Sequence, residues 1–170
     1  MAYVKIVIRW VLIILLQVLL FNNLQLYGLC QPQVYILLLL MMPITYPHWA
    51  DMLIGFAVGL LMDVLCNSVG IQTAACVLLM FVRKPLIAYL VQEHERLNSE
   101  INWLTISHEA FMTYIITLVV LHQTTVSMLS AWNFHHFGMT LLQIIISSAL
   151  SFALILGYNV IIINNINSSK

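Results

Sequence analysis

Charge is what this sequence has least of. Six Lys and Arg and six Asp and Glu make up 7% of 170 residues, and they cancel. A soluble domain carries roughly 25%. With 62% hydrophobic residues and a mean hydropathy of +1.00, the chain cannot cover itself with polar surface, and its solvent is lipid. Without a basic excess there is no field to gather nucleic acid. Cysteine is scarce too. Cys30, Cys66 and Cys76 form no C-x-x-C, so neither a disulfide framework nor a zinc pattern is present, and each reads as a small apolar packing residue. The six histidines make no H-x-x-x-H or H-E-x-x-H. His135-His136, beside Trp132 and Phe134, reads as an interfacial belt rather than a metal site. No metal and no other cofactor is expected. Enzyme motifs are missing: there is no G-x-S-x-G and no P-loop. Asp51 and Asp63 lie about 18 Å apart along a helix, too far to share a proton as a catalytic dyad does. The chain is expected not to be an enzyme.

What the sequence has is long apolar runs. A bilayer core needs roughly 20 apolar residues in a helix. The runs are continuous rather than alternating, so helices are expected, not barrel strands. They predict an all-α integral membrane domain of six spans, about 4–21, 32–46, 49–65, 71–90, 110–129 and 137–163. The first begins like a secretion signal, with Lys5 and Arg9 before the run Trp10 to Phe21. It lacks a small-residue cleavage site and is read as an uncleaved span. The second is short and interrupted by Pro43, so a re-entrant segment is the alternative. Charge placement favours six crossings: Lys5, Arg9, Arg83, Lys84, Arg96 and Lys170 then all fall at cytoplasmic ends, with both termini inside. The polar connection Gln92 to His108 is expected to be a short helix or turn on the cytoplasmic surface.

Charges inside a span are costly and tend to face protein or water. Asp51, Gly55, Gly59 and Asp63 recur every four residues and so form one helical stripe. Gly55-x-x-x-Gly59 lets another helix approach closely. That helix is either one from the same chain or a partner's, and Asp63 either bonds at a helix end or marks a binding site. Arg83 and Lys84, just before Pro85, are candidates for snorkelling to lipid headgroups or for an ion pair with a neighbouring helix.

The order of these features is familiar. Leu19-Leu20-Phe21-Asn22-Asn23-Leu24 is followed by Leu26-Tyr27-Gly28, then by Pro32 and an aliphatic run. Gly55-Phe56-Ala57-Val58-Gly59-Leu60-Leu61-Met62-Asp63 leads to Gly70 and Ala74-Ala75, and later to Arg83-Lys84-Pro85. This closely resembles the MreD family of bacterial rod shape-determining membrane proteins over nearly the whole chain. The segment around Asp63, with a glycine seven residues on, is its most specific part. Many members carry a proline before that glycine, where this chain has Ser68-Val69.

The resemblance implies a scaffold without chemistry of its own. It would sit in the cell inner membrane, bind MreC, and help join MreB filaments to the RodA glycosyltransferase and its transpeptidase partner. It also implies a fold similar to the six-helix substrate-binding subunits of energy-coupling-factor vitamin transporters. Gly55, Gly59, Asp63 and Gly70 are then the candidate partner contacts. The alternative is a small-molecule binding or transport subunit. The first span argues against it, because Val11 to Leu16 is bulky throughout and lacks the A-x-x-x-A stripe common in the vitamin-binding proteins.

Overall fold

The computed structural model describes residues 2–21, 32–90, 108–130 and 137–168, and all regular structure in them is helical. The expected cytoplasmic turn in 92–107, the loops at 22–31 and 131–136 with His135 and His136, Cys30 and Lys170 lie outside these residues. Helix α1 is Ala2–Leu16 and continues through a wider π-helical turn, Gln17–Phe21. Then come α2, Ile36–Leu40, α3, His48–Cys66, α4, Ile71–Leu90, α5, His108–Ser130, and α6, Phe137–Ser168. Among the described residues, four stretches are long and apolar enough to cross a membrane: α3, α4, Glu109–Ser130 of α5 and Gly138–Ile155 of α6. The apolar part of α1, Trp10–Leu19, is shorter.

The side chains facing across each seam set the packing. Along α3 and α4, Asp51 meets Arg83, Gly55 faces Met80 and Cys76, and Gly59 and Asp63 meet the first turn of α4. The two helices are therefore antiparallel neighbours. Helix α5 runs antiparallel to α4 in turn, since Tyr114 bonds Arg83 while His122 reaches Cys76. Helix α6 packs on α5.

The second segment departs from the expectation of a span over 32–46. Its helix is five residues long, Ile36–Leu40. Pro43 explains the stop: its ring cannot follow four residues after Leu39 in a helix, and it pushes Met42 out of helical geometry. The segment is nonetheless at the centre of the fold, with every residue from Pro32 to Leu40 buried. Tyr35 lies beside Gln72, near the start of α4, and the carbonyls of Met42 and Tyr46 take bonds from Arg83 and Lys84. Those points on α4 are about 18 Å apart by helical rise. The segment therefore runs beside α4, as a half-helix with irregular ends, from the Gln72 end to the Lys84 end.

Candidate functional site

Irregular backbone at membrane depth is stable only where protein satisfies its polar groups. Side chains from four other elements do this for the second segment. At its start, the Gln17 amide donates to the Pro32 carbonyl at 3.0 Å and accepts from the Val34 N–H at 2.6 Å. The Gln33 N–H donates to Ser151 Oγ on α6 at 3.0 Å. At its end, Tyr114 Oη donates to the Leu40 carbonyl at 3.1 Å, and Arg83 and Lys84 donate to the carbonyls of Met42 and Tyr46. These cations also match the negative C-terminal end of the half-helix.

The cluster at this end is built on Asp51. Its Oδ2 lies 3.2 Å from Lys84 Nζ and 3.8 Å from Arg83 Nη1. Arg83 Nε donates to Tyr114 Oη at 3.0 Å. Asp51 and Arg83 are wholly buried, while the Lys84 side chain is 22% exposed. Both Asp51 oxygens and Arg83 Nη1 lack a well-directed hydrogen bond, so the pairing is Coulombic. Of the two readings open for Arg83, snorkelling does not apply, because its guanidinium is enclosed between α2, α3 and α5. Lys84 pairs with Asp51 and keeps part of its stem at the surface.

The opposite end holds Asp63. Its carboxylate accepts from Ser68 Oγ at 2.6 Å, Gln72 N–H at 3.0 Å, Thr73 N–H at 2.9 Å and Thr73 Oγ1 at 2.5 Å. The two N–H groups belong to the first turn of α4, whose entry residue, Gly70, has no side chain to cap them. Asp63 supplies that cap from the preceding helix. Gly70 has φ +75° and Asn67 has φ 55°, so both take the left-handed backbone that closes the α3–α4 turn. Asp63 is thus a helix-end bond, with its carboxylate used inside the chain.

The glycine stripe is also used inside the chain. A Cβ on Gly59 would lie 2.5 Å from Thr73 Cα and 2.9 Å from the Gln72 carbonyl. One on Gly55 would lie 2.7 Å from Met80 Cγ and 3.0 Å from the Cys76 carbonyl. The helix that approaches Gly55 and Gly59 is α4 of this chain, and it leaves the stripe no face for a partner.

Between these ends lies a layer of uncharged polar side chains that the motif search passed over. Tyr35 Oη donates to Gln72 Oε1 at 2.7 Å and lies 3.0 Å from His122 Nε2, with Cys76 Sγ at 3.6 Å. The Tyr35 and His122 rings meet edge to face at 5.7 Å. Toward the Asp51 cluster, the aliphatic side chains of Leu37, Leu39, Leu79 and Leu118 follow, all in the buried core. A crevice lined by Leu37, Leu40, Met41, Phe111, Tyr114, Ile115 and Ile155 has room for about one water molecule. Among the described residues no three His, Cys, Asp or Glu side chains gather as a metal site would require. Compared with protein-family models, curated proteins and solved structures, the chain matches none.

Proposed function

We propose that this chain is a non-enzymatic scaffold of the MreD type in the bacterial inner membrane. It binds MreC and helps couple MreB filaments to lateral peptidoglycan synthesis by RodA and its transpeptidase partner, so maintaining rod shape. The observation that carries this reading is the ordered set Gly55, Gly59, Asp63 and Gly70, followed by Arg83-Lys84-Pro85. The packing supports a structural role for it: each of the first four residues serves the α3–α4 hairpin.

The chain crosses the membrane six times, with both termini in the cytoplasm. Two observations support this count. The lysines and arginines then share one side, and the second segment follows α4 from one end cluster to the other. The partner contact lies on outward faces. On α3 the row Trp49, Leu53, Phe56, Leu60 and Val64 recurs at helical spacing and is 47–74% exposed. Affinity purification of the tagged chain from membranes in mild detergent tests the assignment. MreC is the expected companion, and depletion of the chain should round the cells. Recovery without MreC from a strain that produces it would reject the reading.

A further inference from the structure

The uncharged layer contains buried acceptors that the chain itself leaves without donors. Tyr35 Oη carries one proton, and its shortest contact, 2.7 Å, is to Gln72 Oε1, which can only accept. With the Gln72 amide in this orientation, His122 Nε2, 3.0 Å from Tyr35 Oη, donates to it. In that tautomer His122 Nδ1 keeps a lone pair and is an acceptor. Among the described residues Nδ1 has no hydrogen-bond partner, and neither has Gln123 Oε1 or Ser127 Oγ. The three residues are 0%, 1% and 3% exposed. Gln123 and Ser127 stand one turn apart on one face of α5, about 5–6 Å between Cβ atoms. A single donor molecule bridges that separation.

The charge balance narrows what the molecule is. Arg83 and Lys84 are held at the opposite end by Asp51, so neither serves an anion here. The carboxylate of Asp63 is consumed by Ser68, Gln72 and Thr73, so it does not serve a cation. What remains is a small uncharged donor of hydrogen bonds. A buried acceptor without a donor keeps the full cost of its desolvation, and enclosed water with two to four polar partners is the usual remedy.

We propose that the polar layer of α5 is a water-binding site, with enclosed water donating to His122 Nδ1 and bridging Gln123 Oε1 to Ser127 Oγ. It makes the Tyr35–His122 end of the bundle a hydrated layer, separated from the Asp51 cluster by the apolar side chains of Leu39, Leu79 and Leu118. The site stands whether or not the scaffold reading holds.

Radiolytic hydroxyl-radical footprinting of the full chain in detergent tests this directly, because enclosed water generates the radical in place. Met80, 0% exposed like Tyr35, sits in the apolar core away from the Tyr114 crevice and is the water-free control. Corrected for intrinsic side-chain reactivity, His122 and Tyr35 should be oxidised several-fold faster than Met80. Equal rates would overturn the site. A second arm uses Gln123→Leu combined with Ser127→Ala. Loss of a bridging water should lower the melting temperature by several degrees, whereas an unchanged or raised value would mean that the acceptors were orphaned and the proposal wrong. If the variant fails to fold, the wild-type footprint decides alone.

Discussion

Asp51 and Arg83 are the residues on which the Lys84 end of the bundle rests. Both are wholly enclosed, and Arg83 serves three elements at once: Asp51 on α3, Tyr114 on α5 and the Met42 carbonyl beyond α2. Removing one member of a buried pair leaves an uncompensated charge, at a cost of about 3–5 kcal/mol. Arg83→Met should therefore lower the melting temperature in detergent sharply. Adding Asp51→Leu should restore part of the loss, because no buried carboxylate is then left over. A double variant no more stable than Arg83→Met would contradict the pairing. The sequence placed a charge in each span but gave no way to join residues 32 positions apart. The usable signal was the general rule that charges at membrane depth find partners.

Asp63 offers a second test at the same scale. It caps α4 from across the turn, so Asp63→Ala should cost about 1–2 kcal/mol, as lost helix caps do. Asp63→Asn should cost less, because its amide oxygen still accepts from Gln72 or Thr73. Equal losses for the two, measured by thermal unfolding, would mean that the carboxylate does something other than capping. The four-residue spacing from Asp51 to Asp63 was legible in the sequence. Which helix lay against it was not, because periodicity shows that a face is shared but not what covers it.

At the scale of elements, the α3–α4 hairpin is fixed by how closely two backbones approach. In lipid the apolar tails compete equally for side chains, so close contact between helices matters more than burial. A Cβ at Gly59 would collide with Thr73 backbone, which cannot swing aside as a side chain does. Gly59→Leu should separate the helices, disturb the Asp63 cap and lower the melting temperature. Leu60→Ala, on the outward row, should leave the melt nearly unchanged while remaining free to alter partner binding. Equal destabilisation by both would remove the close approach as the cause.

The long helices α3 to α6 follow the hydropathy closely. The run over α2 left its form open, for a physical reason: a fully buried half-helix and a lipid-facing helical span are both aliphatic on every side, and only the position of Pro43 separates them. Gln123 and Ser127 match no motif, and His122 stands in the sequence only as one of six histidines without metal-ligand spacing, although each polar residue buried in a span needs a partner.

For the whole molecule, these clusters describe one design. The second segment passes through the middle of the bundle, bonded at its start by Gln17 and Ser151 and at its end by Tyr114, Arg83 and Lys84. An even number of crossings, and with it the cytoplasmic placement of the basic residues, depends on that passage. Single-cysteine labelling measures it most directly, in a chain whose Cys30, Cys66 and Cys76 have been replaced. With a membrane-impermeant maleimide, Asn23→Cys should react in intact spheroplasts, whereas Tyr46→Cys should react only after permeabilisation. Reaction of both positions from the same side would make the segment re-entrant and contradict the account.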